Sequence, residues 1–192
     1  MQAESKNLEP KKMMTPAEYM VLERQDEWKN ELWDGEMIPA THPNMLHLSM
    51  MTNLIGVVHP QLSKRSEELL CSRMRIKVPP ASYLYPDAII TTDQNMLEDN
   101  NETLLNPMVI IEVVMPETEA CDRGKRFKFY RRLPSVKEYV LIIQDRMSIE
   151  VFQKQSNEKW LYLPTTELGE IVHLASLPCH LPLAEIYDGI KF

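Results

Sequence analysis

The spacing of apolar residues separates the helical segments of this chain from the extended ones. Between residues 44 and 62 the apolar positions recur with a helical period, at Leu46, Met50, Met51, Leu54, Val57, Val58 and Leu62. This spacing predicts a helix with one buried face. From residue 71 to residue 78 the pattern alternates instead, which predicts a half-exposed strand. Its apolar side would carry Met74, Ile76 and Val78, and its polar side Arg73, Arg75 and Lys77.

Local signals predict a helix and a hairpin near the start of the chain. Thr15-Pro16-Ala17-Glu18 is a capping box with proline at the first helical position, so a short helix is predicted to about Glu23. Residues 31–33 and 36–38 are two extended stretches separated by Asp34-Gly35. This dipeptide favours a type I′ turn and therefore predicts two paired strands.

Apolar runs and helix breakers predict the remaining elements. Residues 87–91 and 108–114 predict two strands, the second apolar enough to be central, with a polar, acidic loop at 93–106 between them. A helix is predicted over 120–133, ended by Pro134. The later segments are predicted as strands at 138–143, 148–153 and 160–163 and a short helix or packed tail at 183–190. This order predicts an α/β (α+β) protein in which a mixed sheet is flanked by helices.

Composition and charge narrow the class of protein. The 192 residues suffice for one domain, predicted at 14–192 after a disordered tail at 1–13. No apolar run is long enough to span a membrane, and the three scattered cysteines favour neither disulfides nor a zinc site, so a cytoplasmic protein is expected. The net charge of −7 argues against a protein that coats nucleic acid. It does not exclude a nuclease, because a carboxylate site is acidic until its cation binds.

One acidic residue lies within the most apolar predicted strand. Glu112 stands in the run Met108-Val109-Ile110-Ile111-Glu112-Val113-Val114, which is apolar on both faces and therefore predicted to be buried. An uncompensated carboxylate there would cost several kcal/mol or take up a proton. Its compensation is either a buried salt bridge or hydrogen bond, or a bound cation.

Asp87 is the candidate partner of Glu112. It follows Pro86 at the start of the preceding strand, and adjacent strands can bring one carboxylate from each within a few ångströms. Two carboxylates, together with water and a phosphate oxygen, form the coordination that Mg²⁺ prefers. Taken alone, Asp87 is more typical of a residue that caps the start of a strand. The pair predicts a metal site.

A cationic side chain near such a site would offset charge in phosphodiester hydrolysis. In the predicted helix at 120–133 one face would carry Asp122, Arg126, Phe129, Tyr130 and Leu133. The apolar members should pack on the sheet and bring Arg126 toward it. Lys125 lies on another stripe, which is more typical of a solvated face, although it is a further candidate for stabilising transition-state charge.

Several motifs together resemble one bacterial family. They are Tyr85-Pro86-Asp87, Ile111-Glu112-Val113-Val114, Asp122-Arg123-Gly124, Phe127 to Tyr130, Arg131-Arg132-Leu133-Pro134-Ser135 and Glu138-Tyr139-Val140-Leu141. Further likeness is found in Met14-Thr15-Pro16-Ala17-Glu18-Tyr19, Glu31-Leu32-Trp33-Asp34-Gly35-Glu36, the spacing from His47 to Asn53, and Leu183-Ala184-Glu185-Ile186-Tyr187. This set resembles the Uma-two family, whose members are described as restriction endonucleases of the PD-(D/E)XK nuclease superfamily.

The resemblance implies a restriction-endonuclease-like sheet flanked by helices, with a Mg²⁺ or Mn²⁺ site at the sheet edge and duplex DNA as substrate. It assigns Asp87 and Glu112 as the superfamily's two acidic positions and places Arg126 where relatives carry a lysine. His47 and Glu31 match further polar positions near the site. The alternatives for these two are a hydrogen-bonded helix histidine and a hairpin-surface glutamate. A homodimer is expected by analogy with restriction nucleases that cut both strands.

Four positions depart from the expected motif. Val114 stands where the superfamily has its lysine, and Arg126, which replaces the lysine that family members have on the following helix, is effectively never neutral and so cannot act as a base. Met115 replaces a common serine, and Arg73 replaces a common aspartate. Two functions are therefore predicted: a Mg²⁺-dependent DNA endonuclease, or a decayed nuclease fold kept as a binding or assembly module. A metal-dependent hydrolase with another substrate is a third, weaker possibility.

Overall fold

The computed structural model describes residues 13–71, 74–92 and 95–192. Its helices are α1 (Pro16–Gln25), α2 (Met45–Leu62), α3 (Glu119–Cys121), α4 (Phe127–Tyr130) and α5 (Leu183–Ile186), with a π-helical turn, Asp122–Arg126, joining α3 to α4. Its strands are β1 (Asn30–Trp33), β2 (Glu36–Pro39), β3 (Glu68–Cys71), β4 (Arg75–Val78), β5 (Ser82–Leu84), β6 (Ala88–Thr91), β7 (Leu97–Glu98), β8 (Thr103–Leu104), β9 (Val109–Val114), β10 (Glu138–Ile143), β11 (Ile149–Lys154), β12 (Trp160–Thr165), β13 (Ile171–His173) and β14 (His180–Pro182). The predicted disordered tail lies outside the described residues except for the exposed Met13.

The strands form two six-stranded sheets and a two-stranded one. The central sheet has the order β12-β11-β10-β9-β6-β3, and the hairpin sheet has the order β2-β1-β5-β4-β8-β7. In the central sheet β9 and β10 are parallel and the other neighbours are antiparallel. The predicted α+β fold with a mixed sheet flanked by helices is therefore confirmed. The hairpin sheet was not predicted as a separate layer.

Both faces of the central sheet are buried, each in its own core. On one face α2, α5 and the β13-β14 pair cover alternate residues of the strands, such as Ile111 and Val113. On the other face the hairpin sheet and α4 cover the residues between them, such as Ile110 and Val114. Every residue of β9 and β10 is buried, which explains why both strands are apolar except at Glu112 and Glu138.

The predicted local signals are present in the structure. The Thr15 hydroxyl accepts a hydrogen bond from the backbone N–H of Glu18, and the capping box at the start of α1 is complete. Asn44 caps α2 by accepting from the N–H of His47. In the β1-β2 hairpin Asp34 and Gly35 have φ values of 49° and 93°, as a type I′ turn requires. None of the described helices is both long and apolar enough to cross a membrane.

The strand predicted at 71–78 is wrong as a single element. β3 ends at Cys71 and pairs in the central sheet, whereas β4 begins at Arg75 and pairs in the hairpin sheet. Arg75 was predicted to be exposed, but its side chain is buried and donates to Thr103, Tyr85 and Asp99. The alternating pattern predicted an exposed Arg75, but residues on β8 and in the loop before it bind the buried guanidinium. Arg73 lies outside the described residues.

Two other segments contain structure that the pattern did not predict. The loop at 93–106 includes the short β7-β8 pair, whose turn uses positive φ at Asp99, Asn100 and Asn101. The helix predicted at 120–133 ends earlier, at Tyr130, and is interrupted by the π-helical turn. Such a turn adds a residue to one helical turn and often occurs at functional sites.

Candidate functional site

Asp87 and Glu112 occupy neighbouring positions on adjacent strands. Ala88 of β6 is paired with Ile111 of β9 in an antiparallel register. Asp87, the residue before β6, therefore lies opposite Glu112. Because side chains alternate along a strand, both point to the face that is covered by the hairpin sheet and α4. The backbone N–H of Asp87 donates to Oε2 of Glu112 at 3.2 Å. The structure thus brings this predicted pair together.

The Asp87 carboxylate ends the ladder between β6 and β9. Its Oδ2 accepts from the N–H of Val113 at 2.8 Å and lies 3.0 Å from Nε2 of His47. His47 therefore carries its proton on Nε2 when Asp87 is ionised, because a carboxylate only accepts. Oδ1 of Asp87 accepts no hydrogen bond from the residues that the structure describes, and the side chain is 26% exposed. One oxygen of Asp87 is thus available to a ligand.

The Glu112 carboxylate is 4% exposed and is bound by protein donors at both oxygens. Its Oε1 accepts from Nη1 of Arg126 at 3.1 Å and from the hydroxyl of Tyr130. Its Oε2 accepts from the N–H of Asp87. The buried salt bridge that was one of the two alternatives for Glu112 is therefore present, and Arg126 supplies it.

Arg126 is the centre of a carboxylate cluster. Its Nη2 donates to both oxygens of Glu31, at 2.8 and 2.9 Å, and its Nε lies 3.3 Å from Oδ1 of Asp122. Its guanidinium also lies 5.6 Å from the centre of the Trp33 ring. The π-helical turn places Arg126 and Asp122 on the side of the helix that faces the sheet.

Glu31 is buried, with 1% exposure, so the alternative of a hairpin-surface glutamate is wrong. Besides Arg126, it accepts from Nε1 of Trp33 and from the N–H of Tyr85, each at 2.8 Å. It thus joins the hairpin sheet to the helix that carries Arg126. Its contacts fix the Arg126 guanidinium by a two-oxygen ion pair.

The cluster contains more negative than positive charge. Glu31, Glu112 and Asp122 lie around one guanidinium and Asp87 lies beside Glu112, so full ionisation would leave three charges uncompensated with a neutral His47. Burial raises the pKa of Glu112 well above its usual value, although Arg126 opposes this. Burial likewise raises the pKa of Asp122 to about 6. Burial therefore favours the protonated forms of Glu112 and Asp122, and a cation bound in the site would oppose this effect.

The proton on Asp122 predicts a pH-dependent stability. The pKa of this carboxyl rises from 3.8 to about 6 on folding, so the folded chain keeps a proton that the unfolded chain has released. The stability that the protonated Asp122 carboxyl contributes is therefore lost as pH rises from 3.8 to about 6. Asp122→Asn has no such titration, and thermal melts in EDTA should show wild type losing stability relative to the variant. The same dependence of melting temperature on pH in wild type and Asp122→Asn would contradict the prediction.

The cluster lies at the bottom of a cleft of about 270 Å³, here named the carboxylate cleft. Its lining includes Glu31, His47, Asp87, Glu112, Asp122 and Arg126. Lys125, a further predicted candidate, is not among the lining residues, although its ammonium lies 4.5 Å from the centre of the Trp33 ring, which does line the cleft. Asp122 and Tyr130 were placed on the helical face with Arg126 but not predicted as site residues. Their signal was their spacing of four residues on either side of Arg126.

The sequence model of the Uma2 family, described as "Putative restriction endonuclease", matches residues 16–184. The chain belongs to the Uma2 family. The resemblance to the Uma-two family that the motifs indicated is thereby confirmed.

Relatives of this Uma2 protein come from cyanobacteria. The uncharacterized protein sll1609 of Synechocystis is 32% identical over 161 residues, which are 83% of this chain and 90% of that protein. The uncharacterized protein slr1290 of the same organism is 26% identical over 180 residues, 93% of this chain and 94% of that protein. A crystal structure described as a putative nuclease of DUF820 from Anabaena variabilis has a TM-score of 0.77 and 18% identity, covering 93% of this chain and 99% of that one. At this identity the similarity shows a shared fold.

The donor set of the Uma2 site fits a hard cation that keeps part of its water. No three histidine, cysteine or acidic side chains in the described part of the chain are arranged to hold a metal ion by themselves. Mg²⁺ commonly binds through one or two carboxylates, with water and substrate phosphate as its other ligands. Asp87 has an oxygen that is free for this purpose, and Glu112 lies beside it. Asp87 and Glu112 are therefore the residues that would hold such an ion.

Proposed function

We propose that this Uma2 protein is a Mg²⁺- or Mn²⁺-dependent nuclease that hydrolyses phosphodiester bonds in duplex DNA. The carboxylate cluster supports this proposal, because three acidic side chains share one guanidinium and a fourth, Asp87, lies beside them in an open cleft. A cluster of this kind is stabilised by a divalent cation. When bound, such an ion polarises a phosphate oxygen and lowers the pKa of a water ligand.

Asp87 and His47 are proposed to act together at the cation. The free oxygen of Asp87 would bind the ion, while the other oxygen is held by Val113 and His47. These two contacts fix the carboxylate in one orientation. His47 is therefore proposed as a positioning residue, since a second hydrogen-bonded group commonly orients a metal-binding side chain.

Arg126 is proposed to stabilise the negative charge that develops on the scissile phosphate. Glu31 orients its guanidinium through two hydrogen bonds, and Asp122 holds the Nε side. The surrounding carboxylates raise the pKa of Arg126 well above its usual value, although burial opposes them. It therefore remains charged and stabilises negative charge without accepting a proton. Lys125 lies outside the carboxylate cleft, so its proposed contact is with phosphates beyond it.

One observation favours the alternative function, a decayed nuclease fold acting as a binding or assembly module. Arg126 is already an internal counter-charge for Glu112, and both oxygens of Glu112 accept hydrogen bonds from the protein. A site that is compensated in this way folds without a metal ion. The two functions differ in whether a cation changes the stability of the protein and permits cleavage.

The proposed nuclease activity is tested by incubating duplex DNA with the protein in Mg²⁺, in Mn²⁺ and in EDTA. Cleavage is expected with either cation and not in EDTA, and Asp87→Asn should remove it because the amide cannot replace the charged ligand. The control is Asp145→Asn, an exposed acid outside the carboxylate cleft, which should cleave like wild type.

Thermal melts with added cation separate the two functions. A cation that binds only the folded state raises the melting temperature of wild type and of Asp145→Asn, but not that of Asp87→Asn. Absence of both cleavage and a cation-dependent shift would reject the nuclease and favour the decayed fold. Cleavage that persists in Asp87→Asn would reject the assigned site.

A further inference from the structure

A second cavity of about 280 Å³ opens beside the carboxylate cleft. The two cavities share one wall, formed by Ala40, Thr41, Pro43, His47, Tyr85 and Asp87. The far side of the second cavity includes Trp28, Lys29 and His42, and this cavity is here named the Trp28 lobe. Because Asp87 belongs to the shared wall, a phosphate bound at Asp87 would have its neighbouring nucleoside within reach of this lobe.

Trp28 is held in place by its backbone while most of its indole is left exposed. Its N–H donates to Asp26 at 3.2 Å, and its carbonyl accepts from Asn30 at 3.1 Å. The indole is 63% exposed and contacts the His42 ring at an angle of 84° between the ring planes, with 4.8 Å between centres. A large aromatic ring that lines a cavity and is also exposed to solvent is typical of a binding surface.

The Trp28 lobe also carries a partly exposed cation. The ammonium of Lys29 lies 3.5 Å from Oε1 of Glu23 and 5.4 Å from the centre of the Tyr85 ring. Its side chain is 37% exposed. An aromatic ring next to a lysine is the combination by which proteins bind unpaired nucleotides, since the ring stacks on a base and the lysine attracts the phosphate.

We infer that the Trp28 lobe binds an unpaired nucleobase adjacent to the phosphate at Asp87. This inference rests on the proposed nuclease function and specifies its substrate. The base must leave the stack to reach Trp28, so the preferred substrate is a single strand, or a duplex with a mispaired or displaced base. A fully paired duplex has to break one base pair to fill the lobe and therefore binds more weakly.

The inference is tested by the affinity for three oligonucleotides: a single strand, the fully paired duplex of the same sequence, and that duplex with one mismatch. Binding is measured with Ca²⁺ in place of Mg²⁺, and a gel checks that the strands remain intact. Trp28→Ala should weaken binding of the single strand and of the mismatched duplex by about 5- to 150-fold, the range that loss of one stacked base gives. Binding of the paired duplex should change much less, and Trp28→Phe should keep most of the affinity.

The matched control is Phe192→Ala, because Phe192 is 61% exposed and lines neither cavity. Its affinities should equal those of wild type. Equal affinities in Trp28→Ala and wild type, or an equal loss for all three oligonucleotides, would overturn the inference. Cleavage assays on the same proteins show whether the base site or the proposed nuclease function has failed. Trp28-dependent binding without any cleavage would reject the nuclease while retaining the base site, and cleavage without Trp28-dependent binding would do the reverse.

Discussion

Glu112→Gln is expected to reduce Mg²⁺-dependent cleavage by on the order of 10³-fold while the protein stays folded. The cation supplies several kcal/mol of transition-state stabilisation, and tenfold in rate corresponds to about 1.4 kcal/mol. Glutamine keeps the size of the side chain and an oxygen that accepts from Arg126 and Tyr130. It loses the charge that would hold the ion. Rates of duplex cleavage and melting temperatures of the same preparations measure both effects.

The stability of Glu112→Gln is part of the same prediction. Burial raises the pKa of Glu112, so in EDTA ionisation of this residue lowers the stability of wild type as pH rises above the usual value for a glutamate. The variant should show a weaker dependence of melting temperature on pH and no increase on addition of Mg²⁺. A variant that melts far below wild type at all pH values would instead assign Glu112 a structural role.

Glu138 provides a matched control for Glu112. It is 1% exposed at the start of β10, and its oxygens accept from the backbone of Ala175 and from Ser176. Its donors all come from one loop and it does not line the carboxylate cleft. Glu138→Gln should therefore lower the melting temperature but leave cleavage per folded molecule unchanged. Equal loss of cleavage in both glutamine variants would mean that any buried glutamate in this sheet is required for folding, and not for chemistry.

Arg126→Ala is expected to destabilise the metal-free protein by about 3–5 kcal/mol, the usual effect of removing one partner from a buried ion pair. The guanidinium contacts Glu31, Glu112 and Asp122, whose side chains are 1%, 6% and 6% exposed. Without it these carboxylates must be desolvated without a counter-charge or take up protons. The loss should therefore be smaller at acidic pH. Urea unfolding at two pH values measures it.

Two further variants serve as comparisons for the stability loss in Arg126→Ala. Arg132→Ala removes an arginine that is paired with Asp34 at the surface, where the side chains are 30% and 49% exposed, and should cost at most about 1 kcal/mol. Arg126→Lys keeps the charge but loses the three nitrogens that contact Glu31, Glu112 and Asp122 separately, so its stability should be intermediate. It should also retain some cleavage, because lysine is the residue that the family resemblance places here. A loss in Arg126→Ala no larger than in Arg132→Ala would show that the cluster does not depend on this cation.

The two proposals make different demands on the substrate. The nuclease requires a phosphate at Asp87, and the Trp28 lobe requires the neighbouring base to be unpaired. The two sites are adjacent, because Asp87 and His47 line both cavities. A mismatched duplex would satisfy both demands at once. Comparing its cleavage rate with that of the paired duplex links the two sets of experiments.

Much of the site was predictable because its key pair depends on short-range rules. An acid inside an apolar strand requires a partner, and Asp87 begins the strand that precedes it in the chain. The observed pairing of Ala88 with Ile111 places the two acids side by side. Arg126 was predicted from helical spacing, although the π-helical turn lies within that segment. His47 was predicted only as a polar position that the family resemblance places near the site, and its hydrogen bond to Asp87 was not predicted.

The remaining features of the site depend on contacts between distant segments. Glu31 and Arg126 are separated by 95 residues, and no local pattern indicates that the first β-hairpin covers the helix that follows β9. In the sequence Glu31 therefore resembles a surface residue, and only the hairpin sheet shows that it is buried. Arg75 resembled one for the same reason, since its partners Thr103 and Asp99 lie on β8 and in the loop before it.

By itself, the sequence determined the caps, the type I′ turn, the buried strands and the position of an acid among apolar residues. These follow from backbone preferences and from the periodicity of side chains, which act over a few residues. The tertiary structure decided how 71–78 divides between two sheets, which carboxylates surround Arg126, and that the pKa values of Glu112 and Asp122 are raised. Desolvation and charge pairing depend on distance in space, and residues far apart in the chain supply most of the charges in this cleft.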